Sequence, residues 1–478
     1  MARVDLLVVG GGTAGLVAAV GAANQGARVV LVERHRTGGD CLWTGCVPSK
    51  SLIEAANAAH TASHSRHLGV DSGSVTVDLA AVMDHVHGAV GALAHHDSPE
   101  RLRREGVEVV TGDARFVGPD VVDVDGRELR FSRALIATGA GPAIPPIPGL
   151  EEVAPLTNED LWELKRAPDP LVVLGGGPVG VELGQAFARL GVSVTLVELT
   201  DRLLPREEPE ASEVVARQLR ADGVAVRLGT RAMAVEVGEH GRHLAVTGPG
   251  GADRVPFDRL LVAVGRTPRT GSLGASAAGV RLDERGAVVV DARLRTSNHR
   301  IYAAGDVTLQ LPFTHVAAAH GATVVQNALF GLRAEVDHDR IPWVTFSSPE
   351  VARVGLTVAE ARRRFGPRIR VRTQPHSEVD RAVTAGATAG FARLIGDPKG
   401  RLVGATVVGP RAGETIGELT AWLVSGAKLG TIARTSTHAY PTWSEDVAGA
   451  SLQELRVTLA RLRPITRIAL LLGRLLRR

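Results

Sequence analysis

The chain has 478 residues, 44% of them hydrophobic and 22% charged, which is too long for one core and predicts about three domains of an ordinary soluble globular protein. Its net charge is +4, nearly all of the positive charge being arginine spread along the chain, since only Lys50, Lys165, Lys399 and Lys428 are lysines; this argues against nucleic acid as a partner. The 2 cysteines make no disulfide framework and fit a reducing cytoplasm, and no apolar run reaches the length of a membrane span.

In chain order, Asp5 to Val9 is a short apolar run that reads as a first strand and not a signal peptide, because it goes straight into glycines. Gly10, Gly12 and Gly15 follow, then the Ala- and Leu-rich stretch Leu16 to Gln25: strand, tight turn, helix. Such glycines allow the turn, the close approach of a pyrophosphate and tight helix–strand contact, with phosphates facing the helix N-terminus. The next strand, Arg28 to Val32, ends in Glu33, a carboxylate placed to bind a ribose hydroxyl. The same device recurs at Leu171 to Leu174, Gly175, Gly177, Gly180 and a strand ending in Glu198. Gly10 to Glu33 and Gly175 to Glu198 are the same distance apart in the chain, so the unit is duplicated and two dinucleotides are expected. Glu198 favours a 2′-hydroxyl over a 2′-phosphate, hence NADH over NADPH, although Arg202 nearby could reach a phosphate.

Both cysteines, Cys41 and Cys46, lie in Gly38-Gly39-Asp40-Cys41-Leu42-Trp43-Thr44-Gly45-Cys46-Val47-Pro48-Ser49-Lys50. A zinc site needs more ligands than these, so no metal site is assigned. A disulfide across so short a loop is a poor staple, which favours a redox couple over structural or free cysteines; a helix start after Pro48 and the Lys50 ammonium would favour a thiolate at Cys46. Further on, Leu135 to Gly139 is a buried strand, Pro142 to Pro148 a stiff linker, and Leu260 to Pro268, with Gly265 inside it, a second strand-then-turn. Ile301 to Asp306 ends in a Gly-Asp that, taken alone, is most simply a turn. From Ile341 the composition changes, and alternating strands such as 369–372 and 391–395 suggest a sheet with one wet face.

The pattern Gly-Gly-x-Cys-x4-Cys-x-Pro-x-Lys resembles the redox-active motif of the class I pyridine nucleotide-disulfide oxidoreductases, the flavoenzymes that include dihydrolipoamide dehydrogenase, glutathione reductase and mercuric reductase; the likeness covers about residues 4–450. It implies an α/β fold with two Rossmann-like domains, for FAD and NAD(P), and a C-terminal α+β dimerisation domain. The implied organisation is FAD-binding at 1–148 and 270–337, NAD(P)-binding at 149–269, an interface domain at 338–450 through which two subunits pair as a homodimer, and a basic amphipathic tail at 451–478. It implies FAD at the first glycine turn, beside the cysteines, and the nicotinamide cofactor at the second. It further implies FAD contacts at Thr138, Gly139 and Asp306, an ion pair between Lys50 and Glu182 near the flavin edge, Cys41 as the outer interchange sulfur and Cys46 as the charge-transfer donor.

The family's thiol reductases end His-x-His-Pro-Thr-x2-Glu, the second His being the acid–base catalyst. Here the segment is His438-Ala439-Tyr440-Pro441-Thr442-Trp443-Ser444-Glu445, with Tyr440 at that position. With a pKa near 10 a tyrosine is a poor base at neutral pH, and loss of a general base removes a factor of about 10² to 10⁴. Mercuric reductases resemble the chain in this tyrosine but relay the ion through a C-terminal cysteine pair, and no cysteine follows Cys46. The expectation is an NAD(P)H-dependent flavoprotein passing electrons through Cys41 and Cys46 to a metal ion, quinone or reactive electrophile. Dihydrolipoamide dehydrogenase or another disulfide reductase is the alternative, and a flavin-bound non-catalytic subunit a third. In the tail, Ile465, Ile468, Ala469, Leu472, Leu475 and Leu476 share a helical face opposite Arg467, Arg474, Arg477 and Arg478. That is the make-up of a helix lying on an anionic membrane, against the plainer reading of a helix packed on the protein or a solvated end.

Overall fold

The computed structural model describes residues 3–239 and 241–475, so that Leu476, Arg477 and Arg478 lie outside the described residues. Apolar runs with no polar alternation bury both faces and pair in parallel. Val4–Val9 (β1) and Val29–Glu33 (β2) do so, with Leu6 opposite Val29 and Val9 opposite Val32, joined by the helix Thr13–Ala23 (α1). With Val107–Thr111 (β3), Ala114–Gly118 (β4), Val121–Val124 (β5) and Arg127–Ile136 (β6), the sheet runs β3-β2-β1-β6-β5-β4. The strand Ile301–Ala303, from far along the chain, adds to it in parallel against β6. Leu6, Leu7, Leu31, Leu135 and Ile136 have no exposed surface, and burial of such side chains contributes about 1.5–3 kcal/mol each.

The second parallel sheet has the order Ala225–Arg227, Val194–Val197, Leu171–Leu174, Arg259–Val262, and a separate antiparallel meander over Arg231–Phe257 precedes its last strand in the chain. Both sheets belong to one compact unit, Met1–Asp201 with Asp222–Asp337. The other unit, Arg202–Ala221 with His338–Arg478, is built on a five-stranded antiparallel sheet. Its helix Glu445–Leu475 is fixed at its start: His376 Nε2 is 2.9 Å from Asp446 Oδ2, and Arg370 and Arg372 each reach Glu454 at 2.6 Å.

The duplication read from the sequence is reproduced atom for atom at the glycine turns. Gly10 has φ +107° and Gly175 φ +113°; a Cβ there would lie 2.3 Å from the Ala137 carbonyl oxygen or 2.5 Å from that of Ala263. At Gly15 and Gly180 a Cβ would come within 2.0 and 1.9 Å of the carbonyl oxygens of Gly10 and Gly175. Gly15→Ala and Gly180→Ala are therefore expected to destabilise the protein by about 1–3 kcal/mol each. Urea denaturation midpoints check this; unchanged midpoints for both variants would contradict the packing described.

Candidate functional site

At the first turn, α1 starts after Gly12 with no side-chain cap, and the nearest atom to a Cβ at Gly12 would be 3.8 Å away. The second turn repeats this: the helix Pro178–Arg189 starts uncapped after Gly177, where a Cβ would meet nothing within 4 Å. Two helix N-termini with free N–H groups and open space beside the backbone are cradles for a pyrophosphate. Glu33 Oε2 accepts from the Gly11 N–H at 2.7 Å, and Glu198 Oε2 from the Gly176 N–H at 2.5 Å, so each acid is held back onto its own turn. Glu198 Oε1 also takes the Thr200 N–H and hydroxyl, at 2.7 and 2.8 Å. Arg202 donates to the Pro205 carbonyl at 2.7 Å.

Thr138 Oγ1 is buried with no hydrogen-bond partner among the described residues, beside Gly139 at φ +70°. A buried hydroxyl left unpaired is costly, and a ligand hydrogen bond at this place would satisfy it. Asp306 stands in the short turn Gly305–Thr308, where burial pushes its carboxyl up despite the opposing charge of Arg266. These residues fit a bound FAD: Gly12 and the start of α1 for the pyrophosphate, Glu33 for the ribose, Thr138 and Asp306 for the inner part of the molecule.

Gly38, at φ +109°, opens the short helix Gly39–Trp43 (α2), which carries Cys41; Gly45 then starts Cys46–His64 (α3), so that Cys46 is its first residue. The two sulfurs are not bonded to each other in this structure, which therefore shows the arrangement of the reduced pair. Cys46 is the more acidic, its pKa brought down to about 6: the Cys41 S–H bonded to it lowers it most, burial opposes, and the Thr314 hydroxyl and the Lys50 charge lower it further. The Thr314 oxygen is 3.3 Å from the Cys46 sulfur. Cys41 is pushed far upward, first by that shared hydrogen bond and then by burial. One sulfur is thus a thiolate at neutral pH and its neighbour keeps the proton. Lys50 Nζ donates to Glu182 Oε2 at 2.8 Å, with Glu182 buried. Gly265 has φ +144° and is followed by Arg266, which reaches both Asp40 and Asp306.

His438, Tyr440 and Glu445 belong to the other unit. Tyr440 is 71% exposed and its hydroxyl donates to Asp380 Oδ2 at 2.8 Å, a bond that holds its pKa above the usual phenol value. His438 Nε2 lies 3.0 Å from both Glu418 oxygens, so the two side chains have different partners. Glu445 Oε2 is buried without a hydrogen-bond partner among the described residues. Sequence reasoning missed Asp40, Arg266, Thr314, Asp380 and Glu418. Only Arg266 carried a local signal, a charge directly after a glycine turn.

The family model for pyridine nucleotide-disulphide oxidoreductases matches residues 4–321, and the model for the dimerisation domain of the same enzymes matches 341–451. A mercuric reductase of Streptomyces lividans is 40% identical over 448 residues, spanning 92% of this chain and 94% of its own. A dihydrolipoyl dehydrogenase of Thermus scotoductus is 36% identical over 468 residues, spanning 94% and 97%. Among solved structures, the Cu(II) complex of the HOCl-induced flavoprotein disulfide reductase RclA from Escherichia coli aligns with a TM-score of 0.83 at 29% identity, over 95% of this chain and 100% of that one.

In the reduced protein, alkylation of Cys46 by iodoacetamide is expected to stay fast down to about pH 6 and to fall below it. Cys41→Ala, which removes the largest stabilising hydrogen bond, moves that midpoint up toward an ordinary thiol. A wild-type midpoint above pH 8 would contradict the assignment.

Proposed function

We propose, from the premise that this chain belongs to the pyridine nucleotide-disulphide oxidoreductase family, that Cys41 and Cys46 deliver their electrons to an acceptor that needs no histidine base. The chain is an FAD- and NAD(P)H-dependent oxidoreductase of mixed α/β fold with a redox-active cysteine pair. Bound FAD supplies the passage of a hydride equivalent from nicotinamide to sulfur. In balance, NAD(P)H gives up two electrons and one proton, and the Cys41–Cys46 S–S bond breaks. The proton goes to Cys41 and the remaining charge to Cys46, where Cys41, Thr314 and Lys50 stabilise it. Lys50 is in turn held by Glu182. The Glu198 carboxylate at the second turn favours NADH, since it would repel a 2′-phosphate.

The observation that carries the acceptor assignment is Tyr440, a neutral phenol donating to Asp380 where the thiol reductases place their base. Such a group can give a hydrogen bond but cannot take a proton from a dithiol at pH 7. Metal ions, quinones and reactive electrophiles need no such step. The names of the relatives fall on both sides, mercuric reductase and dihydrolipoyl dehydrogenase. We propose a homodimer formed through the domain at 341–451, working in the cytoplasm.

An anionic membrane surface completes the proposed partners. Among the described residues no helix is long and apolar enough to cross a bilayer. Beyond Leu455, however, the last helix has all its described side chains exposed, Ile465 by 64%, Ile468 by 59% and Leu475 by 69%. Arg456, Arg463, Arg467 and Arg474 fall on one narrow stripe of it, and no acid follows Glu454.

Two outcomes test these readings. Anaerobic assays with Hg(II), Cu(II), quinones and lipoamide are expected to show turnover with one of the first three. They should also show a gain of dihydrolipoamide activity of about 10-fold or more in Tyr440→His; fast lipoamide turnover by the wild type contradicts the proposal. In flotation assays the protein should bind phosphatidylglycerol vesicles and not phosphatidylcholine vesicles. Affinity should fall roughly 5-fold for each of Arg467→Gln and Arg474→Gln; equal binding to both lipids contradicts it.

A further inference from the structure

Asp40, immediately before Cys41, is the most heavily engaged side chain of the redox turn. Its Oδ1 accepts from the Thr44 hydroxyl at 2.6 Å and from Asn158 Nδ2 at 3.2 Å, and its Oδ2 from Arg266 Nη2 at 2.8 Å. Its carbonyl accepts from the Thr44 N–H at 3.0 Å, and a Cβ at Gly45 would lie 2.8 Å from that same oxygen, so the turn closes tightly over Asp40. Arg266 also donates to the Ala140 carbonyl at 2.7 Å, and its Nε lies 3.2 Å from Asp306 Oδ2. One guanidinium therefore stands between two carboxylates, one on the redox turn and one on the turn that fits the flavin.

We propose that Asp40 and Arg266 are positioning residues for the redox pair: they tie the Cys41–Cys46 turn to the Asp306 turn, and Arg266 balances the negative charge that Asp40 places beside the sulfurs. The inference rests on Cys41 and Cys46 being the redox pair, and is independent of which acceptor they serve. Three segments distant in sequence meet at one carboxylate, which is more than closing a short turn requires; Thr44 alone would cap it. The charges acting directly on the sulfurs are Asp40 and, at Cys46, Lys50; linked to them are Glu182 on Lys50, Arg266 on Asp40 and Asp306, and the neighbouring pair Arg269–Glu159, with His315 next to Thr314 and stacked on Phe313. Within this set Asp40 disfavours a thiolate at both cysteines, and Lys50 favours one at Cys46. The Arg266 charge is itself opposed by burial and maintained by Asp40 and Asp306. Removing either member should therefore move the pair in opposite senses.

The test is the pH midpoint of Cys46 alkylation in phosphine-reduced holoenzyme, read by mass spectrometry without NADH or acceptor. Asp40→Asn keeps the shape, removes the negative charge, and is expected to lower the midpoint by roughly one pH unit. Arg266→Gln leaves Asp40 and Asp306 unbalanced and is expected to raise it by a similar amount. Should Arg266→Gln fail to fold, Arg266→Lys keeps the charge while losing the two-sided geometry, and its midpoint should stay within a few tenths of a unit of wild type. Shifts of the same sign in Asp40→Asn and Arg266→Gln, no shift in folded Asp40→Asn or folded Arg266→Gln, or a displaced midpoint in Arg266→Lys overturns the proposal. Because no electron donor or acceptor is present, that outcome would leave the assignment of the acceptor untouched.

Discussion

A negative charge on one sulfur, stabilised from three sides, is the constraint on which the site depends. Cys46 is the first residue of a helix; the Cys41 thiol and the Thr314 hydroxyl hydrogen-bond to it, and the Lys50 charge acts on it. Each comes from a different local device. The Cys41 thiol is brought round by the short helix after Gly38, Thr314 stands at the start of Thr314–Phe330, and Lys50 lies one turn along α3 from Cys46. The preference matters because a disulfide whose reduced form carries one thiol and one thiolate takes up two electrons with a single proton.

The strand–glycine–helix units were legible because their chemistry is local. Steric exclusion at Gly15 is set by the Gly10 carbonyl a few residues back and recurs at Gly180 against Gly175, whereas the closing of Gly10 and Gly175 by Ala137 and Ala263, just past the neighbouring strands, is a contact only the fold creates. The cysteine motif was legible for the same reason, since both sulfurs and Lys50 lie within a short helix and the first turn or so of the helix that follows it. Partners separated by long stretches of chain gave no such signal. Arg266 meets Asp40 across 226 positions and Thr314 meets Cys46 across 268; no periodicity or spacing encodes contacts that the sheet order alone creates.

The second unit shows the opposite balance. The replacement at Tyr440 was plain from the segment His438 to Glu445, but the partners that define its chemistry were not. Asp380 takes the phenol, and Glu418 takes His438, leaving a buried oxygen of Glu445 without a partner among the described residues. The chemistry of this segment follows these pairs, which the motif alone does not give. In the last helix the amphipathic pattern was legible in the sequence, but the exposure of its apolar residues was not.

Electron storage on the two sulfurs is the claim on which the rest stands. The most direct measurement adds one equivalent of NADH per flavin to oxidised holoenzyme without air, then labels thiols and maps them. The account predicts label on both Cys41 and Cys46, with the disulfide gone. A flavin that is reduced while the two sulfurs stay bonded to each other and unlabelled would contradict it.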